Sequence, residues 1–179
     1  MSLSLIGLSG SLRHQSYSTA VLHSVREALP DEVRLDVRSL EDIPLFNDDL
    51  DGDDAPATVA ALRRAVAAAD GLVVISPEYN HGMSGVMKNA LDWLSRPGLS
   101  SCLCDKPVLT LTASPSALGG VRAQQQLNET FIATCSRLVI RRQIVIGLVA
   151  EKVVDGRLVH QPTLDFILDG VRDLRGACG

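Results

Sequence analysis

The chain has 179 residues, of which 46% are hydrophobic, 21% charged and 3% aromatic, and its formal net charge is −4. These are values of one globular domain spanning residues 1–179; they exclude a disordered chain, and the mild acidity argues against nucleic-acid or anionic-membrane partners. Four cysteines are too few for a disulfide scaffold, and Cys102 and Cys104 lack the second ligand pair a zinc site needs, so they read as thiols of a reducing compartment.

Leu3–Leu8 is a short apolar run that leads into Ser9-Gly10-Ser11 and reads as a strand. Met1–Leu8 has neither a basic region nor a long apolar region, so it is no signal peptide. No run approaches the ~20 apolar residues of a membrane span. The expectation is a cytoplasmic protein with no membrane partner. Ala20, Val21, Val25, Ala28 and Leu29 fall at helical spacing before Pro30. Val33, Leu35 and Val37 alternate with charges, as a sheet-edge strand does. Glu41–Pro56 is acidic and irregular, with five aspartates between Asp48 and Asp54 that do not follow calcium-loop spacing, so it reads as a solvated connection without a metal.

Thr58–Ala69 reads as a helix, Gly71–Ile75 as a fully buried strand and Ser84–Ser95 as a second helix. Pro107–Leu111 is a further strand, Gly119–Thr134 a helix, and Leu138–Ile146 a last buried strand. Asp155-Gly156 marks a turn within Val153–Val159, and Thr163–Leu174 closes the chain as an amphipathic helix. Repeated strand–helix units imply an α/β fold, with parallel strands and helices on both faces. In such sheets ligands bind beyond the carboxyl ends of the strands.

Three loops should therefore meet at one rim. The first, Ser9 to Thr19, lies between a strand and a helix and carries Ser9, Ser11, Arg13, Ser16, Tyr17 and Ser18. Backbone N–H groups, hydroxyls and one guanidinium are the donors that hold a phosphate monoester. Serines at that place also serve as helix caps. The loop has no Gly-x-Gly-x-x-Gly, no Gly-Lys-Ser/Thr and no cysteine, which excludes the dinucleotide fingerprint, the triphosphate loop and a cysteine phosphatase. The second loop holds Pro77, Glu78, Tyr79, Asn80, His81 and Gly82, an aromatic, an amide and an imidazole suited to a flat heteroaromatic ligand. The third, with Ser114, Ser116, Gly119 and Gly120, permits close backbone approach. Lys88 reads as a solvated charge or as an aid to cofactor charge, and Trp93, the single tryptophan, as a core or interface anchor.

Gly10-Ser11-Leu12-Arg13 with Ser16, then Pro77-Glu78-Tyr79-Asn80-His81, then Lys88-Asn89-Ala90-Leu91-Asp92-Trp93, resemble the NADPH-dependent FMN reductase family, which includes chromate and quinone reductases and some azoreductases. The resemblance implies a flavodoxin-like three-layer α/β/α sandwich with a five-stranded parallel sheet in the order 2-1-3-4-5. It also implies non-covalent FMN and a homodimer or homotetramer. Its phosphate loop matches Ser11 to Ser18, its ring-binding turn Pro77 to Asn80, and its third contact Ser114. Three positions depart from the family pattern: Ser18 for a usual asparagine, Ser84 for a common proline, and Ser116 for a frequent glycine, which would narrow the third loop.

The expected activity follows from that cofactor: hydride from NADPH or NADH passes through FMN to a small-molecule acceptor such as a quinone, azo compound, chromate or flavin. No acid–base dyad or nucleophile is evident, so no side chain is assigned a catalytic role. Two alternatives share the scaffold: a flavodoxin-type electron carrier and a non-catalytic flavin-binding regulatory protein.

Overall fold

The computed structural model describes residues 2–179, Asp53 by its backbone only. Met1, the first residue of the stretch read as free of a targeting signal, lies outside the described residues. The elements are β1 (Leu3–Ser9), α1 (Tyr17–Ala28), β2 (Val33–Arg38), α2 (Ala57–Ala68), β3 (Gly71–Tyr79), β4 (Gly82–Met83), α3 (Gly85–Leu94), β5 (Pro107–Ala113), α4 (Val121–Ala133), β6 (Arg137–Leu138), β7 (Ile144–Ile146), α5 (Val149–Lys152), β8 (Val153–Val154), β9 (Arg157–Leu158) and α6 (Gln161–Ala177).

Strands β2, β1, β3 and β5 lie side by side and parallel, and β6 and β7 share the place beyond β5. Counted by position, this is the flavodoxin-like order 2-1-3-4-5. The two-residue side-chain period sorts each strand's residues between two cores. Leu5, Val73, Ile75, Leu109 and Leu111 pack with Val21, Leu22 and Val25 of α1 and Ile167, Val171 and Leu174 of α6. Ile6, Leu8, Leu72, Val74 and Val108 pack with Leu62 and Val66 of α2, Met87 and Leu91 of α3, and Leu127 and Phe131 of α4. Strands buried on both faces explain why these runs are continuously apolar.

The stretch Leu138–Ile146 is not one strand. It divides into the end of β6 and β7: Val139 N still donates to the Val108 carbonyl at 2.9 Å, and residues 140–143 lie outside both strands. The cause is Arg141, whose guanidinium turns onto α6, donating to Asp173 Oδ2 at 2.8 Å and to the Phe166 carbonyl at 3.2 Å. A long cation cannot stay in a buried strand without partners, so the chain bulges to reach them. The acidic connection is also more than a solvated loop. Within it Phe46 meets Trp93 edge to face at 4.9 Å, and the Pro44 carbonyl accepts from Trp93 Nε1 at 2.8 Å. Asp51 pairs with Arg63 at 2.7 Å, and Arg63 also donates to the Trp93 carbonyl. Trp93 itself is wholly buried, and Lys88 sits on the surface paired with Asp92 at 2.7 Å.

Among the described residues the four cysteines are free, no group of three His, Cys, Asp or Glu is placed to hold a metal ion, and no helix is long and apolar enough to cross a membrane.

Candidate active site

The carboxyl ends of β1, β3 and β5 carry the three loops, and these are tied to one another. After β1, the Gly10 N–H donates to the Ile75 carbonyl of β3 at 2.8 Å. The Gly10 carbonyl accepts from Ser84 Oγ at 2.6 Å, and Ser84 N donates to Ser76 Oγ at 3.1 Å. A Cβ at position 10 would stand 2.7 Å from Ser84 Oγ and 3.1 Å from Met87 Cβ, so glycine permits this approach. Ser84 also caps α3, accepting from Met87 N at 3.2 Å. The departure from the family's usual proline thus supplies a hydroxyl that joins the first loop to the second.

The first loop ends in the N-terminus of α1, capped by Ser16, whose Oγ accepts from Thr19 N at 3.1 Å. Ser9 Oγ pairs with Thr19 Oγ1 at 2.9 Å, and Ser18 is buried. Three of the predicted phosphate hydroxyls are therefore packed or bonded inside the protein. The half-buried Ser11, the exposed Arg13, whose guanidinium lies 5.7 Å from the Tyr17 ring centre, and the first-turn N–H groups of Tyr17 and Ser18 face outward chemistry instead. Helix geometry leaves those N–H groups without intrahelical acceptors, and the helix dipole makes the spot positive.

The second loop is a hairpin. β3 runs on through Pro77 and Glu78 to Tyr79, then pairs antiparallel with β4. Asn80 and His81 at its tip have φ of +50° and +67°, the two-residue turn with both central residues left-handed. Tyr79, Asn80 and His81 are exposed, and Gly82 is half-buried. Glu78 turns the other way. Its Oε2 accepts from the N–H groups of Arg122 and Ala123, both at 3.0 Å, at the start of α4. α4 has glycine, Gly120, at its cap position and no side-chain cap of its own, so Glu78 supplies one from a neighbouring strand. Its other oxygen stands 4.0 Å from His81 Nδ1.

In the third loop, Ser114 Oγ accepts from Ser116 N at 3.1 Å and donates to Ser116 Oγ at 3.2 Å, a local turn on the surface. Gly119, at φ +65°, is packed so closely that a Cβ would lie 2.6 Å from Gly147 N and from Val145 Cγ1. Gly120 abuts Thr112 and Glu78.

All the predicted loop residues thus come to one rim, but in two groups. Arg13, Tyr79, Asn80 and His81 are exposed there, and Ser11, Tyr17, Pro77, Gly82 and Ser114 are partly buried. The side chains of Ser9, Ser16, Ser18 and Glu78, and the backbone of Gly119, hold the rim together. Gln126 was not foreseen: from α4 its Oε1 accepts from Met83 N at 2.7 Å and steadies the hairpin. No local motif marks it, because its partner is 43 residues away. The donor set fits FMN. An uncovered helix N-terminus beside Ser11 and Arg13 suits a phosphate monoester, and an amide-bearing hairpin beside an exposed tyrosine suits a flat ring.

Residues 3–151 match the family model described as NADPH-dependent FMN reductase. The chain is 34% identical over 169 residues to a quinone reductase of Escherichia coli K12, covering 92% of this chain and 89% of that one. It is 38% identical over 175 residues to an NAD(P)H-dependent FMN reductase of Pseudomonas aeruginosa, covering 97% and 94%. In structure it is similar to the flavoenzyme NAD(P)H:(acceptor) oxidoreductase FerB of Paracoccus denitrificans, with a TM-score of 0.83, 26% identity and 98% of each chain covered. By sequence over most of its length, and by a fold built around the rim just described, the chain belongs to the NADPH-dependent FMN reductase family.

Proposed function

We propose that this protein is an FMN-dependent NAD(P)H oxidoreductase whose acceptor is a quinone, working in the cytoplasm as a homodimer or homotetramer of one domain covering residues 1–179. The observation that carries the reading is the set of cross-ties at the rim. Ser84 to Gly10 and Glu78 to α4 hold three loops in register while leaving the first-turn amides of α1 without intrahelical acceptors. Membership of the family and the quinone reductase relative support it. So do four free thiols, for the compartment.

Bound FMN supplies two-electron hydride chemistry. The chain's part is to bind and orient. The Tyr17 and Ser18 amides with Ser11 and Arg13 hold a phosphate, and Ser114 and the Tyr79–Gly82 backbone border the ring. Backbone N–H groups at the hairpin tip, Asn80 and His81, would be donors toward the polar edge of a bound flavin ring. The exposed Tyr79 leaves a flat face accessible to flat substrates in turn. Pure protein mixed with FMN should turn yellow and retain the flavin on desalting. Its colour should bleach with NADH or NADPH under nitrogen and return with benzoquinone. Protein that takes up no flavin, or whose flavin no nicotinamide reduces, overturns the proposal; reduction without rapid turnover on quinone favours an electron carrier.

A further inference from the structure

A cleft of about 550 Å³ lies at the flank of the rim, between the first loop with the start of α1 and the β8–β9 hairpin. That is within the roughly 300–1,000 Å³ of small-molecule sites. His14, Gln15, Tyr17 and His23 form one wall, and Asp155 and Gly156 the other. Half of its lining, His14, Gln15, Ser16, Tyr17 and Thr19, belongs to the first loop, so it adjoins the candidate phosphate site. None of its lining residues belongs to the β3–β4 hairpin or to the Ser114 loop, so it is not the place of the flavin ring. The walls are joined: Leu158 N donates to Ser24 Oγ at 2.8 Å, in a buried contact between β9 and α1.

We propose that this cleft takes the adenosine end of the nicotinamide donor and that Asp155 makes a free ribose 2′-hydroxyl, and therefore NADH, the preferred form. The inference rests on the oxidoreductase reading above. Three flat rings, Tyr17, His14 and His23, with the amide of Gln15, are the groups that stack on a purine and bond its edge. His23 Nδ1 is buried without a hydrogen-bond partner. Burial, then the nearby Arg26, hold this imidazole's pKa below its usual value against the opposing pull of Glu27. A neutral ring has one donor and one acceptor nitrogen, which suits a neutral heterocycle. Asp155 and Gly156 occupy the left-handed turn positions at φ +48° and +74°, which hold the carboxylate at the cleft. No lysine or arginine is among the described residues that line the cleft, and Asp155 is, so a 2′-phosphate at that wall would meet a carboxylate. A ribose 2′-hydroxyl would donate to that carboxylate instead.

The test is titration of the FMN-loaded protein with AMP and with adenosine 2′,5′-bisphosphate, followed by imidazole proton signals and by calorimetry. AMP should shift the His23 and His14 signals, and the bisphosphate should bind about tenfold more weakly, the worth of one hydrogen bond to a charged group. Asp155→Asn keeps the turn, leaves FMN affinity unchanged, and should erase most of the NADH-over-NADPH ratio in kcat/KM. His23→Phe should raise the AMP Kd and the KM for NADH with FMN affinity unchanged. AMP shifts confined to His81, or an Asp155→Asn ratio equal to wild type in an enzyme that still oxidises NADH, would overturn the cleft assignment alone. Failure to take up FMN overturns the oxidoreductase reading, while AMP titration of the same protein still decides the cleft.

Discussion

The two ends of the parallel sheet solve the same problem in opposite ways. At the amino end of the strands, side chains consume the backbone's loose polar groups. Asp70 Oδ2 accepts from Ser4 N at 2.7 Å, Arg137 Nε donates to the Asp105 carbonyl at 2.9 Å, and Lys106 Nζ donates to the Ala67 and Ala69 carbonyls at the end of α2. Lys106 is held below its usual pKa by burial, against the pull of Cys102, Asp70 and Cys178. At the carboxyl end, side chains tie loop to loop and leave the outermost amides of α1 without acceptors. Buried polar groups must be satisfied, so one end is closed by its own residues. The other end is rigid and still has donors to give, which is what a binding site requires.

The sharpest way to break this contrast is Gly119→Ala. A methyl 2.6 Å from the Gly147 backbone, at a left-handed φ, should cost about 2–4 kcal/mol in urea unfolding. An unchanged midpoint would mean that the carboxyl rim yields more than its geometry implies. Glu78→Ala should remove about 1 kcal/mol as a lost helix cap and weaken FMN binding in fluorescence titration, because α4 and the hairpin then move apart. Its counterpart at the amino end, Asp70→Ala, should cost a similar ~1 kcal/mol or less yet leave the FMN Kd where it was. Equal effects of the two on flavin affinity would erase the distinction between the ends.

His81→Gly should raise stability by about 0.5–1 kcal/mol, since glycine adopts the left-handed turn position freely. If flavin affinity falls in the same variant, His81 holds strain in exchange for binding. The smallest effect lies outside both ends. Burial pushes the Asp51 carboxyl up, but hydrogen bonds from Arg63 and the Gly52 N–H, with the charges of Arg63 and Arg96, outweigh it and leave the pKa lowered. A carboxyl lowered in the folded state adds stability above its unfolded pKa and loses it as pH falls through the folded one. Wild type should therefore lose about 0.5 kcal/mol more than Asp51→Asn on acidification through the carboxylate range.

Most elements are legible along the chain. The helices of α1, α2, α3, α4 and α6 and the strands β1, β2, β3 and β5 follow from periodicity, because one face or both must be buried. Leu138–Ile146 misled, since its apolar ends hide an arginine whose partners lie on α6. The acidic connection misled for the same reason: Pro44 and Phe46 matter through Trp93, which no local pattern relates to them. Within the site, the loop motifs located the rim but not the duties of their side chains. The cap that the Glu78 carboxylate gives α4 has no local signal, and Gln126 carries none at all.

By itself the sequence determined the α/β alternation, the three loops beyond the strand ends and the family likeness. These depend on short-range spacing: period two in strands, 3.6 in helices, and glycine or serine where a turn needs them. Only the tertiary structure decided which hydroxyls and carboxylates are spent internally and which amides remain unpaired. The ties between loops and helices in that accounting reach as far as Met83 with Gln126, 43 positions apart, and Gly10 with Ser84, 74 apart. Polar groups are satisfied by whatever folding brings within about 3 Å, and local sequence carries no record of those neighbours.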